Sequence, residues 1–360
     1  MTILQLITPS KIAGAERSTA SLCEHLQRAG HRVVVGCKRG SPLLQVMREA
    51  GLDARPLGIS GKLNPAAALR VAGLAREIGA GVIHGHLSSA ALHSALAGRL
   101  ARLPSVAHVR ALNTAFWYRP ATRVIAISHA VKEHLVRQRI DASRIDVVYS
   151  GIDPDRYYLP CTRDEARVKL GLPADALLVG VVAHLSAKKG HAVLLDAFAQ
   201  AAARHPSARL LFLGEGNQEE ALRIQAKRLR VIDRLIFAGF QADVLPYYSA
   251  LDLVALPSIE GEGLPRALLE AGLLGRPAIG TRLSGVPEIL RHGETGLIVP
   301  VRDPAAMAAA LDTLLGDAAL RERLGRAARE RVASVFTVPA MVQGTLDAYE
   351  RAGALLKAKG

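Results

Sequence analysis

LDLVALPSIEGEGLPRALLEAGLLGRPAIGT, residues 251 to 281, reads in order as strand, glycine turn, helix and strand. The apolar run LDLVAL (251–256) suits a buried strand. Gly261 and Gly263 let the backbone turn tightly, Pro265 is preset for a first helical turn, and RALLEA (266–271) is made of strong helix formers, so a helix is expected from near Leu264. Its N-terminus turns unpaired N–H groups and the positive end of the helix dipole toward the preceding loop, which makes that loop an anion site. Glu262 stands in the turn and Glu270 roughly a turn and a half into the helix, so one carboxylate reaches ahead of the helix and the other alongside it.

The same alternation runs through the whole chain. Apolar runs at 3–7, 32–36, 81–84, 105–110, 123–127, 177–182, 209–213 and 277–281 are separated by helix-like segments rich in Ala, Leu and Arg. Strand and helix alternating in both halves argue for doubly wound α/β domains. At 360 residues the chain exceeds the ~250–300 at which single cores stop growing, so two domains are expected. The division read from the sequence is 1–158, 159–336 and a final helical segment, 337–360, whose helix runs from about Pro339 to Lys357.

The net charge of +14 is uneven. Residues 1 to 150 hold 20 Lys+Arg against 8 Asp+Glu, a net +12, which leaves +2 for the rest. An excess of that size suits an anionic bilayer surface, a phosphorylated acceptor or nucleic acid, or simply solvated arginine-rich faces. Aromatics at 4% and the lack of any RNA- or DNA-binding motif argue against nucleic acid. Met1 and Thr2 lead directly into the first apolar run without a basic leader, and no apolar run approaches the ~20 residues of a membrane span. The expectation is a cytoplasmic protein, with a peripheral place on the inner face of the plasma membrane as the basic half's contribution. Cys23, Cys37 and Cys161 have neither metal nor redox spacing and read as reduced thiols.

Taken alone, Glu262 and Glu270 also read as a dipole partner and a solvated helix residue. Their setting, however, resembles the donor-site signature of the retaining, nucleotide-sugar-dependent glycosyltransferases of family 4, in which Glu, seven residues and Glu are followed by alanine and a small glycine-containing turn. The opening AGAER (13–17) resembles that family's first turn with Ala13 replacing its first glycine and Gly14 keeping the second. HGH (84–86) resembles its His-x-His at the mouth of a cleft, and AHLSAKKGH (183–191) its phosphate loop, with Lys189 and Gly190 in register and His184 in an arginine's place. GEGN (214–217) has Glu219 where a dinucleotide fingerprint wants a third glycine, so Gly214 and Gly216 fit the family's Gly-x-Gly turn better than a nicotinamide site. Asp153 and Asp155 form an Asp-x-Asp in an exit loop, which reads as turn chemistry rather than a metal grip.

The resemblance implies a GT-B fold, two facing Rossmann-like domains with the last helix crossing back onto the first. It implies a nucleotide-sugar donor, UDP being the commonest, with Glu262, Lys189 and His184 in catalysis and Gly14, Gly190, Gly214, Gly216, Gly263, Leu264, Pro265 and Glu270 around the donor. His86, His108, Arg110 and Ser128 fall to the acceptor or cleft side; Arg110 departs from many relatives, which carry histidine there. No metal or other cofactor is expected, and the implied partner is a glycan or lipid-linked acceptor of bacterial polysaccharide or lipopolysaccharide synthesis. A nucleotide-sugar epimerase or hydrolase shares the architecture, and its acid and base constellations are not evident here.

Overall fold

All strand pairings in both sheets are parallel, so every connection crosses over and both sheet faces are covered by helices. The computed structural model describes residues 1–8, 14–59, 61 and 64–358. Its chain separates into two units, Met1–Gly151 with Thr337–Gly360, and Ile152–Phe336. The boundary falls seven residues before the 158/159 division read from the sequence. The reason is local: the Ile152 N–H donates to the Phe336 carbonyl at 2.9 Å, and Arg266 donates to the Tyr157 hydroxyl at 2.6 Å, tying this stretch to the second unit.

The first unit holds β1 (Thr2–Ile7), β2 (Arg32–Lys38), β3 (Asp53–Leu57), β4 (Val82–His86), β5 (Ser105–Val109), β6 (Arg123–Ala126) and β7 (Ile145–Val147), in the order β3-β2-β1-β4-β5-β6-β7. Alternation along β1 explains its two-sided core. Ile3 and Ile7 face one layer with Leu22, Leu26 and, from the helix Val338–Lys357, Met341 and Tyr349; Leu4 and Leu6 face the other with Val71, Leu74 and Ile83. The C-terminal helix is thereby part of the first unit's core. Its Tyr349 hydroxyl is buried between Gln5, whose Nε2 donates to it at 2.9 Å, and His84 Nδ1 at 2.7 Å.

The second unit holds β8 (Leu177–Val182), β9 (Ala208–Leu213), β10 (Leu235–Gly239), β11 (Leu253–Leu256), β12 (Ala278–Thr281) and β13 (Leu297–Val299), in the order β10-β9-β8-β11-β12-β13. Relative to its own first strand this is 3-2-1-4-5-6, the dinucleotide-binding order. Two boundaries differ from the sequence reading. β11 begins at Leu253 because the Leu251 N–H still bonds the Tyr247 carbonyl of the preceding helix. The helix read from Leu264 runs Arg266–Leu273, because Pro265, at ψ 113°, is its extended N-cap.

Replacing Tyr349 by Phe strands a buried amide N–H and a buried imidazole nitrogen, so Tyr349→Phe is expected to lower stability by about 1–3 kcal/mol. Urea unfolding of both proteins measures this, and an unchanged midpoint would remove the bridging role of this hydroxyl.

Candidate functional site

Doubly wound sheets bind ligands beyond the carboxyl ends of their strands, where the strand order reverses. In the second unit that point lies between β8 and β11. The loops leaving β8, β9 and β11 are packed on one another there. The Ile259 N–H bonds the Lys188 carbonyl at 2.8 Å and the Leu185 N–H the Glu215 carbonyl at 2.9 Å. Gly190, at φ +68°, has Pro257 O only 2.0 Å from where a Cβ would stand, and Gly214, at φ +147°, has Ala183 O at 2.1 Å. Gly216 meets Leu185 O at 2.2 Å in the same way. The three glycines, placed around the donor by the resemblance, thus let the loops approach one another.

This stacking brings two sequence-predicted residues together. Lys189 Nζ donates to Glu262 Oε1 at 2.6 Å, and the Ser258 hydroxyl donates to the same oxygen. Glu262 is 4% exposed, whereas the Lys189 side chain keeps 29% of its surface open. Thr281, at the end of β12, donates to the Ser258 carbonyl and so steadies the loop from the neighbouring strand. Gly263, Leu264 and Pro265 are buried in the turn that follows. His184 is exposed on the β8 loop, within the same loop cluster as Lys189.

Glu270 sits on the helix face with both oxygens engaged: Oε1 accepts from Arg266 Nε at 2.9 Å, and Oε2 from the buried Tyr248 hydroxyl at 3.2 Å. Burial, with the Glu270 carboxylate beside it, raises the Tyr248 phenol well above its usual range, which keeps it a donor. Arg266 also reaches Tyr157, with its guanidinium carbon 5.2 Å from the ring centroid. Sequence reading missed Arg266, Tyr248 and Ser258. Arg266 carried a usable signal, since it stands four residues before Glu270 on one helix.

In the first unit, Gly14 begins the helix Gly14–Arg28 and is exposed; Ala13, the altered position of that turn, lies outside the described residues. The residues expected on the acceptor or cleft side, His86, His108, Arg110 and Ser128, are all buried, at 0%, 1%, 8% and 0% exposure. Both faces of a parallel sheet are covered, which submerges side chains at the ends of β4 and β5. Ser128 caps the helix His129–Arg137 by accepting from the Val131 N–H. Asp153 accepts from the Asp155 N–H at 3.1 Å, the turn chemistry read from the sequence.

The buried groups form an ordered chain. Gln5 donates to Tyr349, whose O–H is then free to donate to His84 Nδ1; Gln5 Oε1 faces His86 Nε2 at 2.7 Å, which must be the protonated nitrogen of a neutral ring. His86 Nδ1 is left as an acceptor 3.4 Å from Arg110 Nη2, and Arg110 Nη1 donates to Ser18 at 3.1 Å and Ser150 at 3.3 Å. Burial, and the neighbouring Arg110 charge, push His84 down to about 3; burial, with His84 and Arg110, holds His86 well below its usual value, and burial with Arg110 does the same to His108. Among the described residues, His84, His86 and His108 are the group whose nitrogens, all within 4.8 Å of one another, are spaced to share an ion. The Arg110 guanidinium beside His86 opposes a cation at that point.

Two family models match the chain, Glycosyl transferases group 1 over residues 162–331 and Glycosyltransferase Family 4 over residues 12–156. The chain is 34% identical over 183 residues to a lipopolysaccharide core biosynthesis glycosyltransferase, LpsE, of Rhizobium meliloti (strain 1021), covering 51% of each protein. It spans about half the length of the curated relatives it matches. Among solved structures it is similar to Anabaena HepE in complex with UDP-glucose, with a TM-score of 0.86, 25% identity and coverage of 96% of this chain and 98% of that one. A glycosyltransferase from Rickettsia africae gives a TM-score of 0.88 at 21% identity, covering 98% of each chain. The architecture, two parallel-sheet α/β units, is that of the GT-B glycosyltransferases. Within that class the chain belongs to glycosyltransferase family 4.

The buried histidines give a signed pH dependence. His191, pushed down to about 4 by burial and by Lys189 and His184, joins His84, His86 and His108 in staying neutral when folded. In the unfolded chain all four take up protons below about 6.5, so unfolding binds protons and stability, complete above that value, falls as pH drops through it. Each contributes a loss of about 1 kcal/mol per pH unit. Urea midpoints at pH 7.5 and 5.5 should differ in that direction, and equal midpoints would contradict the neutral buried cluster.

Proposed function

We propose that the chain is a retaining glycosyltransferase that moves a sugar from a nucleoside-diphosphate donor, UDP-linked, to a glycan or lipid-linked acceptor of bacterial lipopolysaccharide or related surface polysaccharide. The observation that carries this reading is the meeting of Lys189 and Glu262 with the Arg266–Glu270 helix at the switch point of the second sheet. The UDP-glucose bound by the Anabaena neighbour supports the donor class, and the lipopolysaccharide role of the Rhizobium relative supports the acceptor class.

Breaking the anomeric bond leaves negative charge on a diphosphate, and preorganised donors are what lower that barrier. Lys189 has three N–H donors. One remains on Glu262, and the open side of the ammonium is available to phosphate oxygens. Backbone N–H groups near Gly263 and Leu264, and His184 on the adjoining loop, add to the anion site; Pro265 shapes the turn without donating. Glu262 Oε1 is saturated by Lys189 and Ser258, which leaves Oε2 to orient sugar hydroxyls and to support positive charge at the anomeric carbon. Glu270, braced by Arg266 and Tyr248, serves the ribose hydroxyls. The departing phosphate takes the acceptor's proton, so no protein base is assigned. With a lysine and backbone donors meeting the diphosphate, catalysis is proposed to proceed without a metal. The basic first half, at +12, fits an anionic acceptor or the anionic surface that carries it.

Steady-state kinetics with UDP-sugars and a lipid-linked glycan test the assignment. Glu262→Gln should lower kcat about 10²-fold with little change in KM for the donor, and Glu270→Ala should raise that KM about tenfold. The product's anomeric proton coupling should match the donor's configuration, and EDTA should leave the rate unchanged. Wild-type kinetics in both variants would remove the site assignment; inverted product or a rate restored only by Mg²⁺ would overturn the corresponding part of the mechanism.

A further inference from the structure

A groove of about 520 Å³ at the other edge of the first sheet gathers four arginines. Arg99 and Arg102 end the helix Leu87–Ala101, Arg119 precedes β6, Arg144 immediately precedes β7, and Leu355 and Leu356 of the C-terminal helix form an apolar wall. All these positions belong to the first unit. They lie at the amino ends of β5, β6 and β7, whereas His86, His108 and Arg110 stand at or just beyond the carboxyl ends of β4 and β5. A five-residue strand separates the two edges by about 17 Å.

Among the described residues none of the four arginines forms an ion pair. The nearest acids along the chain are engaged: Glu77 by Arg55 at 2.7 Å, Glu133 by Arg137 at 3.9 Å, and Asp146 by Arg123 at 2.7 Å and Arg351 at 3.1 Å, while Asp141 accepts from the Ser143 N–H and feels the Arg144 charge without forming an ion pair with it. Two of the four guanidiniums are also fixed in place. Arg144 Nη2 donates to the Arg119 and Ala121 carbonyls, and Arg119 Nη2 donates to the Gln138 carbonyl at 2.6 Å. Each guanidinium has five N–H donors, so these bonds orient it without exhausting it. Arg99 and Arg102 complement the carboxyl end of their helix, which explains two of the charges but not the convergence of four on one concavity. Gathered cations repel one another unless an anion joins them. Forked N–H pairs match phosphate oxygens, and the leucine wall suits a ligand whose remainder is not charged.

We propose that this groove is a phosphate-binding site, distinct from the donor site, that takes a phosphomonoester or diphosphate group from a soluble ligand or a lipid headgroup. Its occupant leaves the carboxyl edge of the sheet clear, so it anchors or regulates rather than reacts.

The test uses the full chain as wild type, as Arg99→Gln/Arg102→Asn and as Lys189→Ala. Arg99 and Arg102 are exposed, and asparagine tolerates the φ of +56° at Arg102, so the fold is retained. Equilibrium dialysis against labelled inorganic pyrophosphate forms one arm, and sedimentation with phosphatidylcholine vesicles with or without phosphatidic acid forms the other. The double variant should bind about tenfold more weakly in one arm, through loss of two charge-assisted contacts, while Lys189→Ala keeps that binding. Loss confined to the dialysis arm identifies a soluble phosphate; loss in the vesicle arm identifies a headgroup. Absence of wild-type binding in both arms, or equal binding by wild type and double variant in both, overturns the proposal.

Discussion

Burying a carboxylate costs several kcal/mol unless a cation and hydrogen-bond donors accompany it. Glu262 meets that constraint through Lys189 and Ser258, and much of the second unit is arranged to allow it. The pair joins loops that leave different strands, so it forms only if those loops touch. They touch because Gly190 presents no side chain to the carbonyl of Pro257. The parallel order of the sheet puts both loops at one edge to begin with. A single ion pair therefore reports on sheet topology, loop packing and the chemistry of the site together.

The first unit meets a related constraint at the carboxyl edge of its sheet through hydrogen bonds. Polar side chains at the ends of β4 and β5 are buried, and a line of hydrogen bonds running from Tyr349 through Gln5 to His86 and on toward Arg110 engages part of them, while both His108 nitrogens and His84 Nε2 have no hydrogen-bond partner among the described residues. The C-terminal helix supplies the phenol that fixes the orientation of this line. The segment returning to the first unit thus orders groups at the sheet's carboxyl edge as well as covering apolar surface.

The central strands were legible in the sequence because each is buried on both faces and reads as a continuous apolar run. The four strands that escaped notice, β3, β7, β10 and β13, are the outer strands of their sheets. β3 carries Asp53, Arg55 and Pro56 and β7 has three residues with Asp146 at its centre, so neither shows such a run, whereas LIFAG of β10 and LIV of β13 are short apolar runs that were passed over. At the site, Glu262, Lys189 and Glu270 were readable from motif and spacing. The bond from Gln5 to Tyr349 links residues 344 positions apart, which no local pattern encodes. The histidines of β4 and β5 were assigned to the acceptor or cleft side by resemblance of motif, whereas their burial depends on what covers the strand ends, which spacing does not encode.

The central claim is that the loop cluster between β8 and β11 binds a nucleoside diphosphate through Lys189 and the Glu270 helix. Thermal unfolding of wild type and Glu270→Ala in the presence of UDP, GDP, ADP and their sugar conjugates tests it most directly, because a ligand that binds only the folded chain raises its melting temperature. The account predicts selective stabilisation of the wild type by UDP and UDP-sugars, diminished in the variant. No stabilisation by any nucleotide, or equal stabilisation of both proteins, would contradict it.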